Sequence, residues 1–200
     1  MNNKTKHTLV ALAEDKPGVL NRVASLIRRR NFNIESIAVG HSEQPGLSRM
    51  TIVVDGSTTA VEQVRKQLSK LIEIVKVVDI TNEPLVGREL ALIKVHATSA
   101  TRSEIIQIVD IFRANIVDVS PISLIVEVTG DTDKIDSLYN LLKRFGVKEL
   151  ARTGWIAMSR GTSGTVKVEG EEGQSESPPP KPRRSNRADE KRRGIEPSVN

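Results

Sequence analysis

The sequence contains no cysteine. That absence excludes disulfide frameworks, zinc ribbons, thiol nucleophiles and iron–sulfur ligation, and it fits a reducing compartment. Aromatic residues are scarce, with one Trp, one Tyr and three Phe in 200 residues. The core must then be built from Val, Ile, Leu and Ala. Val and Ile favour strands, Leu and Ala favour helices, and a mixture of both elements is expected. No apolar run approaches the ~20 residues that a membrane-spanning helix needs. Residues 1–6 are polar and a strand-like run starts at His7, so no secretory leader is expected and a cytoplasmic location away from membranes is.

The motifs of catalysis are missing as well. There is no G-x-x-x-x-G-K-[ST] and no G-x-G-x-x-G phosphate loop, and Ser25, Ser36 and Ser99 lack a G-x-S-x-G setting. His7, His41 and His96 are scattered without H-x-x-H or H-E-x-x-H spacing and read as surface or strand-end histidines. The adjacent pair Glu171 and Glu172 falls in a polar tail. No catalytic residue, no metal site and no cofactor of its own are expected in this chain.

The net charge of +5 hints at nucleic acid, but its location weakens the hint. Residues 181–193 carry seven Lys/Arg against Asp189 and Glu190, which is the whole of that +5. From Gly161 onward Gly, Ser, Glu, Pro and Arg dominate, with almost no apolar residues. Such a segment buries too little surface to offset its ordering entropy, so residues 161–200 are expected to be a disordered, solvated tail.

What remains is patterned twice in one order. Residues 7–13 (HTLVALA) are strand-like. Val19, Leu20, Val23, Leu26 and Ile27 follow at helical spacing, with Asp15 as N-cap, Pro17 in the first turn and Arg28, Arg29 and Arg30 in the last. Residues 33–40, alternating Ile34, Ser36 and Ala38 against Glu35, Ile37 and Val39, and residues 47–54 form a hairpin about Gln44-Pro45-Gly46. Val61, Val64, Leu68 and Leu71 mark a second helix and residues 73–80 a last strand. After a linker at 82–87 come strand 89–97, helix 103–112, strands 115–119 and 122–128, a helix marked by Ile135, Leu138, Leu141 and Leu142, and strand 147–151. Asn33-Ile34 recurs as Asn115-Ile116, each after a helix. The class is α+β, with two ferredoxin-like βαββαβ domains at 7–82 and 88–160. Each is small, and its four-stranded sheet leaves one face and two edges open, so at least a dimer is expected.

RNA-recognition domains share this order but stack bases on strand aromatics. Residues 48–54 have none, and Phe32, Phe112, Tyr139, Phe145 and Trp155 fall off the expected sheet face. No nucleic-acid partner is expected.

The most informative segment is Asp15-Lys16-Pro17-Gly18-Val19-Leu20. A helix start leaves backbone N–H groups without partners at the positive end of the dipole, which suits a carboxylate. Gly18 admits close approach, Asp15 faces an ammonium group, and Val19 and Leu20 offer an apolar surface. Together they describe a receptor for an α-amino acid. A plain helix start, with Pro17 and Gly18 as punctuation, accounts for the same residues, and the residues alone leave both readings open. The second half has Thr98-Ser99-Ala100-Thr101-Arg102 there and is not expected to hold the same ligand.

D-K-P-G-V-L resembles the entry of an ACT domain, an amino-acid-binding module. Arg22-Val23, Asn33-Ile34-Glu35-Ser36 and Leu47-Ser48-Arg49-Met50-Thr51-Ile52 extend the likeness to the small regulatory subunits of acetolactate synthase. So do the segments beginning at Glu89, Ile111, Ile116 and Arg152. The resemblance covers about residues 6–161.

It implies a non-catalytic subunit that activates a large subunit and confers feedback inhibition by valine in branched-chain amino acid biosynthesis. Thiamine diphosphate, Mg and FAD would belong to that large subunit. It also implies a homodimer through ACT domains, with valine between Asp15, Gly18, Val19 and Leu20 of one chain and Asn33 and Ile34 of the other. The second domain, ACT-like, would help assembly with the large subunit. Many members carry Asn where Asp15 stands, which bears on selectivity among valine, leucine and isoleucine. An ACT-type sensor of a different metabolic enzyme is the alternative.

Overall fold

The computed structural model describes residues 5–161; the expected tail, from residue 162 onward, lies outside them. The first half runs β1 (Thr5–Glu14), α1 (Val19–Arg29), β2 (Asn33–His41), β3 (Leu47–Gly56), α2 (Thr58–Leu68) and β4 (Ile74–Asp79). Its sheet has the order β2-β3-β1-β4, antiparallel throughout. The second half repeats this with β5 (Leu85–His96), α3 (Arg102–Ile111), β6 (Asn115–Ser120), β7 (Ser123–Gly130), α4 (Thr132–Leu142) and β8 (Val147–Arg152), in the order β6-β7-β5-β8. Both halves are the expected ferredoxin-like βαββαβ unit.

Period-two alternation builds each core. Leu9, Ala11 and Ala13 of β1 and Met50, Ile52 and Val54 of β3 share one face and pack under Val19, Val23 and Ile27 of α1 and Val61, Val64 and Leu68 of α2. Ala91, Ile93 and Val95 do the same beneath α3 and α4. The helices sit where their apolar stripes meet those faces.

The repeat extends below the level of elements. Asn31 (φ 58°) and Arg113 (φ 50°) are the two non-glycine residues with left-handed backbone among those described. Each ends a helix two residues before a strand that opens Asn-Ile. A register shift then follows in both, between Ile34 and Ser36 and between Ile116 and Asp118. The bulge breaks the alternation expected for 33–40, so Ile34 and Ile37 both turn toward the first core. An extra residue in one strand of an antiparallel pair has this effect.

Four further expectations are corrected. β5 begins at Leu85, inside the stretch expected as linker. A further strand, β9 (Ile156–Ser159), pairs with its start, Leu85 opposite Ser159 and Arg88 opposite Ile156. The outer face of the first sheet is not left bare: Val10, Leu12 and Ile80 are covered by Ala157, Leu85 and Trp155. Trp155 therefore does sit against a sheet face. Finally, His7 is buried on the helix side of β1, its Nδ1 3.3 Å from Asp79 Oδ2. Its neighbours 72 and 74 residues away, Asp79 and Thr81, make that site polar, which local pattern does not reveal.

Among the described residues no helix is long and apolar enough to cross a membrane.

Candidate functional site

The turn from β1 into α1 is held at both sides by backbone. The N–H of Glu14 donates to the Glu73 carbonyl and that of Asp15 to the Gly46 carbonyl, each at 2.8 Å. The turn is thus fixed between the approach to β4 and the tip of the β2–β3 hairpin. The Glu73 carboxylate also accepts from Arg22 of α1, tying the helix to the same support.

Gly18, with φ 87°, occupies the N-cap position. This corrects two details: Asp15 does not cap α1, and Pro17 precedes the helix, whose first residue is Val19. A left-handed residue is needed at the boundary, and glycine takes that conformation without steric cost. No side chain caps the helix. The Val19 N–H reaches the Lys16 carbonyl at only 3.4 Å, and helix geometry supplies no acceptor to the N–H groups of Leu20 and Asn21. A Cβ on Gly18 would meet nothing within 4 Å, so the space before the helix is open.

The side chains divide the labour unequally. Val19 is buried in the first core, at 4% exposure, so only its backbone faces the turn; Leu20, at 47%, is the apolar surface available there. Lys16 is paired with Glu14 at 2.9 Å. The Asp15 carboxylate lies 3.1 Å from His41 Nδ1. Sequence pattern alone does not mark His41 as a site residue. The signal for it lies in the topology: it ends β2 just before the hairpin turn, and a hairpin returns that position to the end of β1.

Asn33 and Ile34 lie elsewhere. Along β3, Asn33 is opposite Asp55 and Ile34 opposite Val54, whereas His41 is opposite Ser48. The two ends of β2 are about 26 Å apart at the usual strand rise. One chain therefore brings Asp15, Gly18, Val19 and Leu20 together and holds Asn33 and Ile34 at the far end of an edge strand. Asn33 is exposed, and Ile34 packs partly against the core.

The second half fills the corresponding place with its own side chain. Arg102, first residue of α3, donates to the carbonyls of Ser120 at 2.7 Å and Pro121 at 3.0 Å. Its guanidinium occupies the ground between helix start and hairpin. Near the junction of the halves, Arg152 pairs with buried Glu89 and with Asp136. Hydrogen bonding to Glu89 first, then to Asp136, raises its pKa above the ordinary arginine range. Among the described residues no cluster of three or more His, Cys, Asp or Glu is placed to hold a metal ion.

Comparisons with known proteins match each half in turn. Residues 9–76 match the AHAS small subunit-like ACT domain, and residues 88–161 match the small subunit of acetolactate synthase. A probable acetolactate synthase small subunit of Archaeoglobus fulgidus is 60% identical over 156 residues, covering 78% of this chain and 98% of that one. The acetolactate synthase small subunit of Mycobacterium bovis is 54% identical over 164 residues, 82% of this chain and 97% of its own. The crystal structure of the Thermotoga maritima acetolactate synthase small subunit superposes with a TM-score of 0.74 at 47% identity, covering 78% of this chain and 98% of that one. With both halves matched in order, and over nearly the whole length of these relatives, the chain belongs to the acetolactate synthase small subunit family.

Proposed function

We propose that this chain activates the catalytic large subunit of acetolactate synthase and makes it sensitive to valine. Family membership implies the large-subunit partner; thiamine diphosphate, Mg and FAD are assigned to that partner. The observation that carries the effector reading is the uncapped start of α1 at Gly18. Unpartnered N–H groups at a helix start bind a carboxylate, Asp15 stands beside it for the ammonium, and Leu20 offers an apolar contact.

A single chain presents only half of the proposed site. Antiparallel pairing of β2 with β2 of a second copy would bring the partner's strand start alongside this chain's His41. Asn33 and Ile34 of that copy would then complete the pocket. Valine bridging two chains favours one arrangement of the pair, and a ligand shifts an equilibrium only by its differential affinity. Couplings of this kind are typically ~1–3 kcal/mol, about 5- to 150-fold.

Gly18→Asp tests the reading. Its carboxylate would stand in the ligand's place and repel the ligand's own, and Asp tolerates left-handed backbone better than most residues. In assays with the large subunit, valine inhibition should disappear while activation persists; full valine sensitivity would remove Gly18 from the site. Co-purification with the large subunit separates this reading from a sensor of some other enzyme.

A further inference from the structure

We infer that His41 belongs to the effector site, where its imidazolium competes with the ligand's ammonium group for Asp15. The inference rests on the amino-acid site proposed above and adds to it a residue, a charge and a proton dependence.

The contact is set by the fold. Asp15 is anchored through its N–H to the Gly46 carbonyl, and His41 is registered opposite Ser48 at the end of β2. The hairpin thereby holds Nδ1 3.1 Å from Oδ2. Both side chains are accessible, His41 at 87% and Asp15 at 46%, so the pair is replaceable rather than built into a core. Exposed ion pairs contribute little to stability, and this one can break without disturbing the sheet.

The other charges nearby do not substitute for either partner. Glu14 and Lys16 are paired with each other. Arg49, on β3, donates to the Ala157 carbonyl, and Glu43 of the hairpin acts on Arg49. Arg88, across the groove that His41 and Arg49 also line, donates to the Gly87 carbonyl. Asp15 is the one carboxylate within ion-pair distance of His41 among the described residues.

An imidazolium and an alkylammonium make the same demand on a carboxylate. When His41 is charged, Asp15 is already neutralised and its Oδ2 is engaged. When His41 is neutral, Asp15 keeps its net charge and is free to pair with the ammonium. Histidine is the side chain that changes charge between pH 5 and 8. An asparagine at position 15 would not distinguish the two states, because an amide has no charge to neutralise. The acid at 15 and the imidazole at 41 therefore work as a unit, and effector affinity should fall as pH falls.

The test is calorimetric titration of valine into the full chain at about pH 8 and about pH 5.5, an interval across which histidine changes charge. Wild type should bind about tenfold more weakly at the lower pH, where the histidine side chain is charged and competes for Asp15. His41→Gln should bind equally at both. His41→Lys, charged throughout, should bind weakly at both. A wild type with equal affinity at the two pH values, or a His41→Gln variant that keeps the pH dependence, overturns the role of His41 and leaves the effector site standing. Failure of wild type to bind valine at the higher pH overturns the effector site itself, and this inference with it.

Discussion

Gly87 is glycine because an indole ring occupies the place of its side chain. A Cβ built there would lie 1.8 Å from Trp155 Cζ2 and 2.5 Å from two further ring atoms. Its backbone is ordinary, so the constraint is steric rather than conformational. The ring is rigid and lies against the cluster of Val10, Leu12 and Ile80, so the clash has no soft side. The residue before Trp155, Gly154, is similarly confined by Ser36, whose Oγ accepts from the Trp155 N–H at 2.8 Å. Gly87→Ala should therefore expel or tilt the ring, at about 1–3 kcal/mol, the usual cost of overpacking. Trp155 is the single tryptophan, so its fluorescence reports the event directly. A red-shifted emission and a lower urea midpoint are expected; wild-type values for both would show that the ring has room to spare.

At the scale of elements, β9 converts an exposed sheet face into a second small core. Ala157 is 2% exposed whereas its neighbour Met158 is 64% exposed, the alternation of a strand with one buried face. A carboxylate at 157 would be desolvated within the apolar cluster of Val10, Leu12 and Ile80, and Arg49, the cation beside it, is already engaged with the residue 157 carbonyl. Ala157→Asp should cost about 3–5 kcal/mol, while Met158→Asp should stay within ~0.5 kcal/mol of wild type. Urea unfolding measures both, and equal effects would mean that β9 does not pack as described. β9 is also where sequence pattern stops being informative. The eight strands and four helices of the repeat are legible because Val, Ile and Leu recur at period two or at helical spacing over long stretches. The four residues of β9 are too few to show a period, and Pro84 and Gly87 read as linker punctuation although Gly87 serves Trp155. The bulges at Glu35 and Val117 flip side-chain faces without any residue that announces them. At the candidate site, the Pro-Gly turn is legible because glycine and a helix start have a local signature, whereas the cap expected of Asp15 falls to Gly18. His41 and buried His7 were not, since each is defined by residues far away in sequence that only the folded sheet brings near.

At the scale of the molecule, the decisive feature is that the two groups of candidate site residues lie near opposite ends of one edge strand, the β1–α1 turn beside His41 and Asn33 and Ile34 at the strand's start. β2 pairs with β3 on one side, and its other edge carries no strand among the described residues; Val39 on it is 46% exposed. An open edge of this kind recruits another strand or is otherwise protected. If the recruit is β2 of a second copy, the two-fold axis brings one chain's strand start beside the other's helix start and yields two equivalent pockets per pair. Effector binding and self-association are then one linked equilibrium. Linkage requires that each valine strengthen the dimer by the factor by which dimerisation strengthens its binding, about 5- to 150-fold per pocket for ordinary couplings, and by the square of that factor when both pockets are filled. Sedimentation equilibrium across a dilution series, with and without saturating valine, should show the dimer persisting to correspondingly lower concentration when valine is present. A monomer that binds valine one-to-one, with an association constant for the dimer that valine leaves unchanged, would mean that the pocket closes within one chain and that Asn33 and Ile34 lie outside it.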